Sequence, residues 1–330
     1  MPLPAATLRF PHGRVLLHRT RLAYVHLGNL LTDAKRDRAA RVYGYVVVWL
    51  PEELLLFFLQ EGEVVNATDS TDGRHFRPLS IADALAKVPG AAEFGEICFH
   101  ECDDEQLATM YWSHVSEPLA LPPEVDARDA PALFGFLRAT IHDGVLEVRS
   151  DDGVNYGMVR DGRVVRAYLA DPRDNGTTVD AALSTLVQSL RRDDQASGTR
   201  LWPVPPPLPV QAPPALIQAY RELMEAVVRR LVELGVDGAP AVAEQARQLL
   251  CDRHPVLERF ALSHASPRGP VTETPALSAA MGAWLGDLLW AAAPADGTSP
   301  GQLIASLAHE RRHVFQTAGL FESLPWKVEW

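Results

Sequence analysis

The sequence predicts an α+β protein built from two tandem small α+β modules with antiparallel three-stranded meanders, followed by an α-helical bundle. The first observation behind this prediction is an internal duplication. The stretch 44–67, GYVVVWLPEELLLFFLQEGEVVNA, returns one hundred residues later at 144–167 as GVLEVRSDDGVNYGMVRDGRVVRA. The second is that turn residues divide each copy into three short strands. The third is that apolar residues beyond position 215 recur at steps of three and four, which is typical of helices.

Glycines mark the same positions in the two copies. Gly44 and Gly144 open the first strand, and Gly62 and Gly162 follow an acidic residue at the second hairpin. An acidic residue followed by glycine suits a primed turn, which needs positive φ. We therefore expect the two stretches to superpose, with Gly62 and Gly162 at positive φ.

Proline content sets the predicted domain boundaries. We assign residues 1–116 to the first module, 117–130 to a proline-containing linker, 131–200 to the second module, 201–214 to a proline-rich spacer, and 215–330 to the helical bundle with an aromatic tail. The spacer sequence LWPVPPPLPVQAPP excludes helix and central strand, and we expect it to be stiff and extended.

The first module has unusually apolar strands. Val46 and Val48 alternate with Val47 and Trp49, so the sheet must be covered on both faces. The other elements expected here are a strand-like entry at 14–24, a helix at 25–41, a polar break at 51–53, a helix at 80–88, a last strand at 95–102 and a short helix at 103–116. We expect this module to form the buried centre of the protein.

The second module repeats this order with cleaner alternation. Leu146 and Val148 are expected to point inward and Glu147 and Arg149 outward, so one face of this sheet should meet water. Its other elements are a leading helix at 131–140, a polar break at 151–153, and a trailing helix at 179–190 capped by Thr177 or Thr178. In the bundle we expect helices at 216–235, 239–252, 276–293 and 299–317.

Composition excludes several classes of protein. The chain has 330 residues, of which 47% are apolar and 22% charged, and this proportion is typical of a globular protein. A formal net charge of −11 argues against nucleic acid as a partner. Three cysteines, Cys98, Cys102 and Cys251, make a disulfide framework improbable and favour a reducing, cytoplasmic location. No signal peptide is evident, and no apolar run reaches the ~20 residues of a membrane-spanning helix.

One motif resembles a catalytic zinc site. His309 and His313, with Glu310 between them, form H-E-x-x-H on the helix predicted at 299–317, where two histidines one turn apart could hold zinc and the glutamate could act as general base. A third ligand is missing, and Arg311 and Arg312 add two positive charges inside the motif. We therefore interpret the stretch as a solvated, charged helix face and keep a zinc metallopeptidase as a remote alternative.

A second set of possible metal ligands lies on the last strand of the first module. Cys98, His100 and Cys102 alternate and would share one face. No second cysteine or histidine pair lies at a zinc-finger spacing, so burial of the cysteines is the favoured interpretation. No glycine-rich phosphate loop and no nucleophile elbow is present. We expect no catalytic residue, no cofactor and no metal.

The repeated pattern of both copies resembles the PATAN-type domain of bacterial signalling and motility proteins. The resemblance covers about residues 22–102 and 129–192, and its motifs are Gly44, EGEVVNA at 61–67, DGV at 143–145 and DGRVVRA at 161–167. It implies a non-catalytic protein-interaction module. The first copy departs from the pattern by Pro51-Glu52-Glu53 in its first hairpin, and nothing familiar covers the bundle.

These features together predict a non-enzymatic protein-interaction subunit. We expect it to dock on a larger bacterial assembly, with the cytoplasmic face of a membrane complex as one possible place. The alternative is a free cytoplasmic signalling adaptor. Aromatic residues dominate interface energetics, so the expected partner contacts are Leu320, Phe321, Trp326 and Trp330. A tail packed back on its own bundle is the other interpretation of these four residues.

Overall fold

The computed structural model describes residues 8–36, 42–88, 94–150, 153–171, 178–190, 198–261, 269–292, 297–328 and 330. Contacts divide the chain into two units. Unit 1 comprises Met1–Leu79 and Ala84–Leu208, and unit 2 comprises Ser80–Asp83 and Pro209–Trp330. The division therefore falls inside the proline-rich stretch predicted as a spacer. The predicted α+β class, with antiparallel sheets followed by a helical region, is confirmed.

Unit 1 contains two antiparallel sheets, of which the first is built from the first module. Its strands are β1 Val15–Arg21, β2 Gly44–Trp49, β3 Leu54–Gln60, β4 Glu63–Ser70, β5 Arg77–Leu79 and β6 Glu96–Glu101. Within the described residues they lie in the order β1-β6-β2-β3-β4-β5. The expected meander is therefore β2 to β4, and the strands on either side of it extend the sheet.

Both faces of the first sheet are buried, as its apolar pattern predicted. Every residue of β2 and all but the last of β3 are buried. One face, which includes Val46 and Phe57, packs against helices α1 (Leu27–Arg36) and α2 (Ile81–Lys87). The opposite face, which includes Tyr45 and Phe58, packs against helix α3 (Asp104–Val115) and the second sheet. Burial of two apolar faces is the main source of stability available to unit 1.

The second sheet repeats the arrangement. Its strands are β7 Gly144–Arg149, β8 Val154–Arg160, β9 Arg163–Tyr168 and β10 Gly198–Trp202, and in the described part of the chain they lie in the order β10-β7-β8-β9. Helices α4 (Ala130–Ala139) and α5 (Val179–Ser189) pack on one face. The hydroxyl of Thr178 caps α5 by accepting from the N–H of Ala181 at 3.4 Å. Thr177 and the first two residues of the break at 151–153 lie outside the described residues.

The duplication is confirmed in the turns. Gly62 and Gly162 have φ of 79° and 72°, and the residues before them, Glu61 and Asp161, have φ of 51° and 50°. Two successive residues at positive φ define a type I′ hairpin, which matches the twist of the flanking strands. The two modules thus share a strand order of β6-β2-β3-β4 and β10-β7-β8-β9, and they share the turn that joins the last two strands.

One physical reason explains why glycine occupies the first position of both meanders. A Cβ on Gly44 would lie 2.2 Å from the carbonyl oxygen of His100, and a Cβ on Gly144 would lie 2.0 Å from that of Trp202. Both distances are far inside van der Waals contact, so the neighbouring strand β6 or β10 leaves room only for hydrogen.

One sequence expectation for the second sheet is wrong. Glu147 and Arg149 do not face water, since they are 2% and 4% exposed. The alternation of β7 is real, but the face that carries these two charges packs toward α3 and the first sheet instead of solvent. Alternation shows which residues share a face, and only the tertiary arrangement decides whether that face is covered.

Unit 2 is a helical bundle. Its helices are α6 Pro214–Glu233, α7 Ala239–Leu250, α8 Thr274–Ala291, α9 Pro300–Ala308 and α10 Arg312–Thr317, with short 3₁₀ turns at Pro255–Phe260 and His309–Arg311. The largest buried side chain of the core is Trp284, whose indole N–H donates to the carbonyl of Ala243 at 2.8 Å. Gly235 follows the C-terminal end of α6 and has φ of 80°. The proline stretch before the bundle has no helix or strand from 203 to 210, and its first two residues, Leu201 and Trp202, complete β10.

Candidate functional site

The H-E-x-x-H motif does not lie on a continuous helix, so the helix expected at 299–317 is wrong in its middle. α9 ends at Ala308, and a 3₁₀ turn carries His309 and Glu310 before α10 begins. His309, Glu310 and His313 are all exposed. Arg311, inside the motif, forms an ion pair with Glu222 of α6. Among the described residues, no three His, Cys, Asp or Glu side chains are grouped so that they could hold a metal ion.

Cys98, His100 and Cys102 are placed on and just after β6, and the two cysteines are buried. Burial raises the pKa of the Cys98 thiol to about 12 and raises that of Cys102 as well. Within the part of the chain that the structure describes, these three side chains are not grouped so that they could hold a metal ion. Burial, together with His12 and His18, lowers the pKa of His100 to about 4.

The aromatic tail folds back on the bundle. Leu320 is fully buried in the bundle core, so it is not accessible as the partner contact that the sequence suggested. Phe321 and Trp326 are half-buried against the same core. Trp330 is 44% exposed, with its ring 5.1 Å from that of Phe321 and 4.4 Å from the guanidinium of Arg312. The tail therefore packs on its own bundle through Leu320, Phe321 and Trp326, and the partner contact expected at Trp330 stays a prediction.

Two glycines of α8 lie where the C-terminal tail packs on this helix. A Cβ on Gly282 would lie 2.7 Å from Ser323, and a Cβ on Gly286 would lie 3.3 Å from Pro325. Residues four apart share a helix face, so these glycines form a stripe that lets the tail backbone approach closely. Trp290 lies one turn further along the same stripe and is 81% exposed. The ring of Trp290 is therefore accessible on the helix that carries these two glycines.

The sequence alone does not single out Trp290. Helix α8 reads TPALSAAMGAWLGDLLWA, which is apolar around most of its circumference, so no stripe distinguishes the exposed face from the buried one. The signal that could have found it is the pair of glycines at positions 282 and 286, because small residues at a spacing of four mark where another segment approaches. We call Phe321, Trp290, Trp326 and Trp330 the aromatic surface.

Unit 1 holds a buried polar cluster of a different kind. The hydroxyls of Ser113 and Tyr156 lie 3.0 Å apart, and Nε2 of His114 lies 3.5 Å from the Tyr156 hydroxyl. Burial, reinforced by Arg149, lowers the pKa of His114 well below its usual range, and burial raises that of Tyr156. The His114 ring stacks on Phe76 at 3.9 Å. All these groups are buried, so the cluster belongs to the packed interior of the described residues.

Arg149 and Glu147 extend the polar interior. Nε of Arg149 lies 3.8 Å from Oε1 of Glu147, and neither atom has a hydrogen-bond partner. Burial raises the pKa of Glu147, against the opposing effect of Arg149 and Arg200. The guanidinium also donates to the carbonyl of Arg74 at 3.3 Å. Such a loosely paired buried charge contributes little net stability.

The aromatic surface of unit 2 is thus the accessible candidate site. The side chains of the H-E-x-x-H motif are dispersed on the protein surface, and the cysteines of β6 are buried. No helix in the described residues is long and apolar enough to cross a membrane. Comparison of the chain with protein-family models, with curated proteins and with solved structures finds no match.

Proposed function

We propose that this chain is a non-enzymatic protein-interaction subunit that docks on a larger bacterial assembly through the aromatic surface of its helical bundle. The observation that carries the proposal is the exposure of two tryptophans of the bundle, Trp290 at 81% and Trp330 at 44%. An exposed tryptophan leaves a large apolar area in water, and tryptophan is the residue most enriched among interface hot spots. The resemblance of both modules to PATAN-type domains supports the same assignment.

The placement of the chemically capable residues supports a non-enzymatic role. The H-E-x-x-H side chains are exposed, and the described residues offer no third ligand beside them. The Ser113, His114 and Tyr156 cluster has donors and acceptors but is buried. A catalytic site needs both reactive groups and a route to them. The remote alternative, a zinc metallopeptidase at His309 and His313, lacks that support.

The charge of the chain restricts the partner. A formal net charge of −11 disfavours nucleic acid and leaves a protein as the proposed partner. The three cysteines favour a reducing, cytoplasmic site of action, where a partner could attach the chain to the inner membrane. The competing assignment is a free cytoplasmic signalling adaptor, which would use the same surface transiently.

Gel filtration of native extract, followed by mass spectrometry of the proteins that co-elute, separates these assignments. A subunit elutes at the size of an assembly and retains its partner in constant stoichiometry. An adaptor elutes mostly at the size of the free chain. Elution as a free chain that binds no protein, in the wild type and in the Trp290→Ala variant alike, would overturn both.

A further inference from the structure

A small pocket in unit 1 has the chemistry of a ligand site. It encloses about 280 Å³, near the lower end of the range for small-molecule sites. Its floor is β2 and β6, which contribute Tyr45, Trp49 and His100. Its other wall is β1 together with the extended residues 8–14, which the Tyr45 hydroxyl anchors by donating to the carbonyl of Pro11 at 2.7 Å.

The charge of the pocket lining opposes the charge of the chain. Two arginines and three histidines line it: Arg9, Arg19, His12, His18 and His100. The lining contains no aspartate or glutamate, although the chain as a whole has 42 acidic residues against 31 basic ones. Glu96 stands just outside and pairs with Arg19, whose guanidinium stacks on Trp49 at 4.1 Å. The pocket is therefore a local concentration of hydrogen-bond donors that select for negative charge.

Two polar atoms in the pocket lining are left without a partner. Nε1 of Trp49 and Nδ1 of His100 are shielded from solvent and make no hydrogen bond. Trp49 itself is only 8% exposed. An indole N–H can only donate, so it requires an acceptor, and an unmade buried hydrogen bond costs about 1–3 kcal/mol. Such atoms are explained when a bound molecule supplies the missing acceptor.

The imidazoles of the pocket lining would also interact favourably with a bound anion. The rings of His12 and His100 lie 4.6 Å apart. Burial and the neighbouring His12 and His18 lower the pKa of His100, so these surroundings disfavour its imidazolium form. A negative group at the edges of these rings would offset that repulsion and accept hydrogen bonds from their nitrogens.

We propose that this pocket binds a small organic carboxylate with an apolar body. The carboxylate would accept from Trp49 and from the histidines, while the hydrocarbon part would pack on the apolar part of the lining, which includes Phe10, Val15 and Val47. A free inorganic anion would leave that apolar part in contact with water. A nucleotide is too large for about 280 Å³. This site is separate from the aromatic surface and independent of the function proposed for it.

The test uses the full chain and isothermal titration with benzoate, phenylacetate and hexanoate, with benzamide as the neutral analogue and inorganic phosphate as the simple anion. We expect at least one carboxylate to bind one-to-one with a Kd below about 1 mM, and benzamide and phosphate to bind at least tenfold more weakly. His12→Gln and His100→Gln should each weaken the carboxylate at least tenfold. His309→Gln, an exposed histidine in the other unit, should leave it unchanged.

Each alternative result overturns the proposal. Failure of all three carboxylates to bind excludes the ligand class. If benzamide binds as tightly as the carboxylates, the negative charge does not contribute to affinity. If phosphate binds as tightly, the apolar body does not contribute. Unchanged affinity in the histidine variants places the site elsewhere. His12 is at the pocket rim and only half-buried, so His12→Gln keeps the test decisive if His100→Gln lowers the melting temperature.

Discussion

Phe58 and Met158, one hundred residues apart, stand immediately before the same irregularity in their two sheets. Phe58 pairs with Asn66 and the next residue skips to Val64, while Met158 pairs with Arg166 and the next skips to Val164. Each is a β-bulge in which one extra residue, Val65 or Val165, increases the local twist. A bulge conserved between the copies indicates that the duplicated unit includes its irregular geometry as well as its turns.

The glycine turn of the second module gives a stability prediction. Gly162→Ala should lower the free energy of unfolding by about 1–3 kcal/mol, because φ is 72° and the new Cβ would lie 2.5 Å from the carbonyl of Leu137. Urea denaturation measures the loss. Gly135→Ala is the control, since nothing lies within 4 Å of the new Cβ and the site is inside helix α4. It should be neutral or raise stability by up to ~1 kcal/mol.

The aromatic surface gives a binding prediction. The double variant Trp290→Ala, Trp330→Ala should reduce co-purification with the partner more than tenfold, a loss of over ~1.4 kcal/mol, with little change in melting temperature. Both side chains are largely exposed, so the free chain loses few contacts. Leu249→Ala removes a side chain that is 74% exposed on another helix and should leave binding intact. Equal loss in both variants would show that no particular surface is used.

Substitution of Trp326 tests whether this residue stabilises the bundle or contacts a partner. Its ring packs on the bundle core and its indole nitrogen is shielded from solvent. Trp326→Ala should therefore lower the free energy of unfolding by about 1–3 kcal/mol, measured by thermal denaturation. A variant with an unchanged melting temperature and lost binding would instead move Trp326 to the partner interface.

Buried His114 predicts a dependence of stability on pH. The folded protein keeps this imidazole neutral because burial lowers its pKa, whereas the unfolded chain takes up a proton near pH 6.5. The stabilising contribution is therefore complete above about pH 6.5 and declines as the pH falls toward the folded-state pKa, by up to ~1.4 kcal/mol per pH unit. His114→Phe keeps a ring against Phe76 and should reduce this slope. His100 and Glu147 also titrate, so the comparison is between wild type and variant, with His313→Gln as the exposed control.

The Glu147 and Arg149 pair predicts strong non-additivity. Glu147→Leu should destabilise the fold by about 3–5 kcal/mol, because it leaves the Arg149 charge buried without its partner. Arg149→Met should cost less, since a raised pKa lets Glu147 take up a proton and become neutral. The double variant should recover most of the loss, which urea denaturation of all four proteins would measure. Additive losses would show that the two charges do not interact.

The exposed H-E-x-x-H turn predicts that the isolated protein holds no zinc there. Both histidines lie in solvent around a break between α9 and α10, and a stable zinc site needs at least a third protein ligand. Elemental analysis is the measurement. Stoichiometric zinc that disappears in His309→Ala would restore the metallopeptidase alternative.

Much of unit 1 was predictable because its signals are local. Equal spacing of turn glycines identified the duplicated meanders, and two apolar faces on β2 and β3 predicted a doubly covered sheet. β10 was missed because it runs into the proline stretch at Trp202, yet it occupies the place of β6 in the first copy. Burial of Glu147 and Arg149 was also missed, since no periodicity tells whether a polar face meets water or a neighbouring sheet.

The candidate sites were less accessible to sequence reasoning. The tail tryptophans could be named from their position, but their division into the half-buried Trp326 and the exposed Trp330 depends on how the tail crosses α8. The pocket of unit 1 gathers residues from 9 to 170 that share no motif, and only the folded arrangement of the chain brings them together.

The course of residues 8–14 has a consequence for synthesis on the ribosome. Gly13 bonds to Glu101, and the carbonyl of Arg9 accepts from the N–H of Val154, so two anchors of residues 9–13 come from segments made much later. At about 5–20 residues per second, the wait between the synthesis of Arg9 and that of Val154 is on the order of ten seconds. During that interval the β2–β4 meander can pair locally and Phe10 can pack on Tyr45, while the hydrogen bond between Arg9 and Val154 cannot form. A chaperone that binds short apolar segments would therefore find residues 8–14 only partly anchored until residue 154 has left the exit tunnel.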